Sequence, residues 1–353
     1  MVNEPEIEEE VDSLEEPEVL YERMAIVVDK GQEPVRIDKF LVGRTENATR
    51  NKVQKGIESG RVLVNNKVVQ SNYKIRPHDE IVVYSNKEVI GEEIVPENLP
   101  LNITFEDDDI LIINKPAGLV VHPGSGNYTG TLINGVAYYL LQQNNSLSEE
   151  ALPRFGMVHR IDKNTSGLMV LAKSSTAAAS LARQFFEHTV MRRYHALVWG
   201  DLEQDSGTVI AHIGRHKKSR KLFDAYPEGE YGKEAITHYK VLERFGYVTL
   251  IECRLETGRT HQIRVHMQHI GHPLFNDETY GGDRIVKGTV YTKYKQFVDN
   301  CFDICKRQAL HAKIIGFTHP STREQVVFES ELATDMQQVI EKWRNYIKDK
   351  KLD

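Results

Sequence analysis

The stretch HRIDKNTSGLMVLAK, His159 to Lys173, sets Asp162 between Arg160 and Lys163 and follows it with Asn-Thr-Ser-Gly and a return to apolar sequence. Flanking positive charge favours the ionised carboxylate, and small hydroxyl residues ending in glycine form a turn that presents it at a surface. An ionised, presented carboxylate can act as a nucleophile. The same pattern also describes an ordinary surface ion pair on a loop, so the choice between them depends on the rest of the chain.

A second constellation lies in RLETGRTHQIRVHMQHIGHPLFNDETYGG, Arg254 to Gly282. With Thr260 as N-cap, the spacing predicts a helix whose apolar stripe is Ile263, Met267 and Ile270 and whose other face carries His261, Arg264 and Gln268. Such a helix would hold Arg264 rigidly and aim it at a partner. A metal site is not expected among His261, His266, His269 and His272: only His266 and His269 share a face, no carboxylate joins them at ligand spacing, and HExxH and Cys/His patterns are absent. A third cluster, GRHKKSRKL, holds five bases within seven residues, Arg215, Lys217, Lys218, Arg220 and Lys221, and reads as a phosphate-contact patch.

These side chains need elements to hold them. At 353 residues the chain exceeds one ordinary domain of roughly 100 to 200 residues, so two folded units with tails are expected. In the larger, C-terminal part, ITFEDDDILIINKPAGLVVHPG reads as an apolar strand pair interrupted by a Lys-Pro-Ala-Gly turn. RYHALVWG, AITHYKVLERF and VTLIECRLETG are further strands, while TAAASLARQFFEH and THQIRVHMQHI have helical spacing. Short turns between strands argue for an α+β domain on a mixed, largely antiparallel sheet with flanking helices.

The N-terminal part is patterned differently. Ile37, Phe40 and Leu41 have helical spacing; Val53 and Ile57 repeat it between a Thr49 N-cap and a Gly60 stop, and VLVNNKVV alternates about a tight reversal at Asn65-Asn66. A helix pair followed by a small ribbon results. From Arg36 to Arg76 ten bases stand against three acids.

The net charge of −6 conceals this, because nine acids and no base fall within the first 20 residues, leaving +3 on the remainder. That run reads as a solvated, disordered arm. Cys253, Cys301 and Cys305 form no CxxC pair, and the last two read as buried apolar side chains one helical turn apart. No apolar run approaches the roughly 20 residues of a membrane span, and a soluble cytoplasmic protein is expected.

The segment carrying RIDKFL, GRVLVNNKVV and IRPHDEI resembles the S4 RNA-binding module. That resemblance implies RNA binding through the basic helix face and the start of the ribbon, with Arg44, Arg50, Lys52, Lys55 and Arg61 as contacts. HRIDKNTSGLMVLAK, RRYHALVWG, TGRTHQIRVHMQHIGHPLFND and RQALHA together resemble the RluA-type family of RNA pseudouridine synthases, from about Asn102 to Met336. With the preceding module they are most similar to the RluD-like subgroup that modifies large-subunit ribosomal RNA.

The family resemblance implies that Asp162 does the covalent work, that Arg264 pairs with it, with Arg259 in reserve, and that Tyr194 packs on the extruded base. It gives Arg160 the place the base vacates. It implies no cofactor and no metal, ribosomal RNA as partner, and a monomer. The expected organisation is an acidic tail at 1–20, the S4-like module at 21–85, a linker at 86–100, the catalytic domain at 101–347 and a short tail at 348–353. A non-catalytic RNA-binding or ribosome-assembly factor is the alternative, but it leaves the intact set of Asp162, Arg264 and Tyr194 unexplained. A nucleoside or sugar hydrolase using Asp162 would call for a pair of carboxylates in separate roles, and the motif offers one.

Overall fold

In the N-terminal unit the apolar spacing becomes β1 (Tyr21–Val27), α1 (Ile37–Val42), α2 (Arg50–Glu58), β2 (Val62–Val64), β3 (Lys67–Val68) and β4 (Glu80–Ser85). The four strands form one antiparallel sheet in the order β1-β4-β2-β3. Ile37, Phe40, Leu41 and Ile57 from the helices pack with Val62, Val64 and Ile81 from the strands. Asn65 and Asn66 both adopt positive φ, 50° and 62°, as the tight hairpin requires. The Asn65 amide also donates to Asp79 and accepts from the Glu80 N–H, each at 2.9 Å, which ties the reversal to β4.

This computed structural model describes residues 21–42, 44, 50–85, 94–124, 127–143, 152–217, 219 and 222–350. The acidic arm, Thr49, Lys218, Arg220, Lys221, residues 86–93 of the expected linker and residues 351–353 lie outside them. The chain divides into two units between Glu93 and Ile94. Residues 94–100, read from composition as linker, belong to the second unit: Ile94 is buried in its core, and Asn134 donates to the Val95 carbonyl at 2.7 Å.

The second unit runs β5 (Ile103–Glu106), β6 (Ile110–Lys115), α3 (Leu132–Gln143), β7 (Ser166–Ala172), α4 (Ser175–Phe186), β8 (Met191–Trp199), β9 (Ser206–Arg215), β10 (Phe223–Tyr226), β11 (Lys233–Arg244), β12 (Val248–Leu255), α5 (Gln262–His269), α6 (Thr292–Ile304), β13 (Leu310–Thr318), β14 (Gln325–Glu329) and α7 (Thr334–Lys350). Its strands form one sheet in the order β10-β9-β11-β12-β8-β13-β7-β6-β5, with β14 added to β13. The β7–β13 pair is parallel and the other described pairs are antiparallel. Both faces are covered. Met169 and Leu171 of β7 pack with Ile133 and Val136 of α3 and with Ile263 and Met267 of α5, whereas Leu168 and Val170 pack with Ala177 and Leu181 of α4. Farther along, Trp199 packs with Val298 and Cys301 of α6 and Trp343 of α7; Cys301 and Cys305 are both fully buried.

One expected turn lies elsewhere. The β5–β6 hairpin closes at Asp107 to Asp109, where the Asp107 carboxylate accepts the N–H groups of Asp109 and Ile110, both at 2.8 Å. Lys-Pro-Ala-Gly instead ends β6 and leaves it, and Leu119 to Pro123 form no strand. A side chain capping its own backbone is a turn signal of aspartate, and the DDD run carried it. No helix among the described residues is long and apolar enough to cross a membrane.

Candidate active site

Asp162 stands on the loop that enters β7, and the loop is fixed through its backbone. The Thr165 N–H donates to the Asp162 carbonyl at 3.0 Å. Lys115, fully buried at the end of β6, donates to the carbonyls of Pro116, Leu119 and Lys163 at 2.8, 2.9 and 2.9 Å. Burial, and then the charge of Arg307, push the Lys115 ammonium down to about 7, and Asp162 opposes the shift. Arg307 donates to the Asn164 carbonyl at 3.0 Å while its fork grips Asp335 at 2.7 and 2.9 Å. Two buried basic side chains therefore hold the two carbonyls that follow Asp162. Both lie in quoted motifs, NKPAG and RQALHA, yet sequence reasoning missed them. The available signal was a lysine one residue beyond the wholly apolar run ILII.

Arg264 projects from α5 and is 5% exposed. Its Nη1 donates to Asp162 Oδ2 at 3.1 Å, while Nε and Nη2 form a fork on Asp277 at 2.7 and 2.8 Å. Burial lowers the proton affinity of the guanidinium, but Asp277 and Asp162 outweigh it and hold the group above its ordinary value. Asp277, fully buried, also accepts N–H bonds from Thr279 and Tyr280 at 3.1 and 3.3 Å. A fork–fork pair fixes the plane of the guanidinium, so the Nη1 that reaches Asp162 has one orientation. Asp277 was not foreseen, although it sits in the quoted LFND.

The expected cap of α5 is corrected. The residue before the helix is His261, in the left-handed region at φ 57°, and it makes no side-chain cap bond. The preceding loop is held by Gln262, whose Oε1 accepts from the Thr257 hydroxyl at 2.8 Å and the Arg259 N–H at 2.9 Å. An internal amide therefore replaces the Thr260 hydroxyl. The turn brings the His261 ring within 3.9 Å of Asp162 Oδ1, with its Nδ1 2.8 Å from the Tyr280 hydroxyl. Burial lowers the His261 imidazole from its ordinary value, opposed by Asp162.

A cavity of about 540 Å³ opens over these groups, lined among others by Arg160, Asp162, Phe185, Arg192, Tyr194, Arg259 and Arg264. Tyr194 is 8% exposed on β8, and burial raises its phenol. Arg160 is exposed and makes no hydrogen bond or ion pair among the described residues. Arg259 donates to the Glu234 carbonyl at 2.9 Å, so the reserve candidate is pinned to a strand. The structure thus brings Asp162, Arg264, Tyr194 and Arg160 to one cavity. Among the described residues no cluster of His, Cys, Asp and Glu could hold a metal ion.

The basic residues picked from sequence differ in environment. Arg44 lies over the Phe40 ring at 3.9 Å, Lys55 is exposed on α2, and Arg61 donates to the Ser59 hydroxyl at 2.8 Å. Arg50 instead donates to the fully buried Asp38 at 3.0 and 3.1 Å, beside Arg36. The Lys52 side chain lies outside the described residues. Arg215 and Lys217 lie over Phe223 and Tyr226 at 5.1 and 5.6 Å.

The chain resembles known proteins over most of its length. A family model described as RNA pseudouridylate synthase matches residues 109–269, and one described as S4 domain matches residues 35–81. The chain is 46% identical over 322 residues to an uncharacterized RNA pseudouridine synthase of Chlorobaculum parvum, covering 91% of this chain and 98% of that protein. It is 43% identical over 301 residues to the ribosomal large subunit pseudouridine synthase D of Neisseria meningitidis serogroup B, covering 85% of this chain and 76% of the relative. The solved structure of human RNA Pseudouridylate Synthase Domain Containing 4 superposes with a TM-score of 0.55 at 22% identity, over 69% of this chain and 93% of that one, and shows the shared fold.

Proposed function

The chain belongs to the RNA pseudouridylate synthase family, and from that premise we propose that it isomerises uridine in large-subunit ribosomal RNA with Asp162 as the covalent residue. Isomerisation breaks the bond from N1 to the ribose C1′, turns the base and joins C5 to C1′. The C5 proton leaves, N1 gains one, and neither oxidant nor second substrate is consumed. Asp162 attacks the ribose or promotes a glycal-like intermediate. Arg264 orients the carboxylate, Tyr194 packs on the base and relays the C5 proton, and Arg160 enters the space that the extruded base leaves. Extrusion costs about a few kcal/mol of lost stacking and pairing, which gives a cation at the rim a role.

The observation that carries this reading is the chain Asp162–Arg264–Asp277, whose first two members line the cavity that holds Tyr194 and whose third is buried behind them. The large-subunit target is supported by the relatives named for it. RNA is held by Arg44, Lys52, Lys55 and Arg61 in the first unit, where Arg50 instead braces the buried Asp38, and by the Arg215–Lys221 cluster in the second. The test is to map pseudouridines on total RNA from a deletion strain carrying either the wild-type chain or Asp162→Asn. The wild type should restore one or more large-subunit sites and the variant none. Restoration by Asp162→Asn would remove the covalent role, and loss of sites only outside the large subunit would remove the target.

A further inference from the structure

Arg192 stands in the wall of the Asp162 cavity as a buried cation with no counter-charge among the described residues. It lies on β8 two residues before Tyr194, so both side chains face the same way about 7 Å apart along the strand. It is 9% exposed. Its Nη2 makes two long bonds of 3.3 Å to the carbonyls of Glu256 and Thr257, and its Nε has no hydrogen-bond partner among the described residues. No carboxylate pairs with it among those residues, and burial lowers its proton affinity.

A buried charge is costly unless an opposite charge accompanies it, and this one is accommodated by the Phe185 ring, 5.8 Å from its guanidinium carbon, and by the shape of its surroundings. A Cβ at Gly258 would come within 2.7 Å of Arg192 Nη1, so the glycine makes the room in which the guanidinium lies. The neighbouring groups add no anion. His159, whose Nε2 accepts the Val170 N–H at 3.1 Å, is held neutral by burial and by Arg192, and the ring stacked on it is Phe185. Beside Phe185 the cavity is also lined by Phe186, which is 84% exposed and so leaves the rim open to a polymer.

We propose that Arg192 is a phosphate site: it takes a backbone phosphate adjoining the nucleotide whose base lies against Tyr194. The missing counter-ion then arrives with the RNA, and seating the phosphate two residues along β8 fixes how far the ribose enters toward Asp162. This assignment rests on the proposed reading of the cavity. It gives Arg192 a binding role, distinct from the orientation of Asp162 by Arg264.

The test uses the full chain and a short fragment of large-subunit RNA containing the target uridine. Three versions are made: unmodified, and with an uncharged methylphosphonate at the phosphate on the 5′ or the 3′ side of the target. Single-turnover rates and half-saturating RNA concentrations are measured for the wild type, Arg192→Gln and Arg192→Lys. One of the two methylphosphonates should raise the wild-type half-saturating concentration roughly tenfold, as for removal of a charge-assisted bond. It should add little to the defect of Arg192→Gln, and Arg192→Lys should retain part of the sensitivity. Equal methylphosphonate penalties in the wild type and Arg192→Gln would overturn the proposal and leave Arg192 a brace for the Glu256–Thr257 turn. If melting shows that Arg192→Gln does not fold, Arg192→Lys decides: a penalty smaller than in the wild type supports the site and an undiminished one overturns it. A wild type that is active but indifferent to both methylphosphonates overturns the phosphate assignment alone, whereas a wild type that forms no pseudouridine in this RNA overturns the functional reading beneath it.

Discussion

At the scale of single residues, two aspartates share one arginine, and only one of them faces the cavity. Asp162 was legible because its motif places a carboxylate among cations before a turn. Arg264 was legible because helical spacing separates it from the apolar stripe. Asp277 was not, because its partnership spans 13 residues and depends on the turn after α5, where Asn276 takes φ 56°. Asp277→Asn leaves the buried Arg264 with half its fork and a free choice of partner; removing one member of a buried pair commonly costs about 3 to 5 kcal/mol. The expected outcome is a lowered melting temperature and a fall in single-turnover rate of similar factor on a structured RNA and on an unstructured oligonucleotide of the same local sequence. Arg160→Ala should behave differently, losing rate on the structured RNA and little on the unstructured one, since no base must be pulled from a stack there. Equal losses for Arg160→Ala on both RNAs would return Arg160 to the role of an ordinary phosphate-binding cation.

At the scale of elements, the long strands and the helix after Ser174 followed directly from periodicity, because both faces of β7 and one face of α4 are apolar. Sequence reading failed where a side chain caps backbone across a loop, as Asp107 and Gln262 do. The glycine of NTSGL shows what a local pattern hides: Gly167 reads as the end of a turn, yet it lies inside β7 at φ 113°, beside the parallel pairing with β13. A Cβ there would meet the Ala312 carbonyl oxygen at 2.3 Å. Gly167→Ala therefore adds backbone strain and a backbone clash, each worth about 1 to 3 kcal/mol, at the junction that seats the Asp162 loop. Denaturant unfolding should show a destabilisation of that order, and the rate should fall even at temperatures where the variant is folded. A variant within about 0.5 kcal/mol of the wild type would mean that β7 and β13 separate at little cost.

At the scale of the whole molecule, the second unit buries neutral histidines and the first buries an anion. Burial pushes His159 down to about 3, and His266 and His311 to about 4, from an ordinary 6.5. Between pH 6.5 and 4.5 the unfolded chain thus binds protons that the folded one does not, and stability falls with falling pH by up to about 1.4 kcal/mol per pH unit for each such histidine. Asp38, held far below its ordinary 3.8 by Arg36 and its neighbours against the pull of burial, contributes stability that is lost only at lower pH. Stability curves should therefore slope first in the histidine window, and His159→Asn should make that slope shallower; a flat profile down to pH 4.5 would contradict the neutral histidines. The basic composition of the first unit was legible, but its free charge was overcounted, because Arg36 and Arg50 both pair with Asp38. Removing residues 1–93 leaves a unit with its own apolar core, and it should still modify a short RNA. Its affinity for long ribosomal RNA should fall, and the log–log salt slope of binding should shrink by about 0.7 to 0.9 for each phosphate that is no longer neutralised. Arg44→Gln with Lys55→Gln in the full chain should reproduce part of that change, while Arg50→Gln should act chiefly by lowering the melting temperature of the first unit, since it exposes the imbalance at Asp38. A truncated chain whose salt slope equals that of the full protein would mean that the basic helices do not touch RNA, and the positive charge around α2 would then be a solvated face.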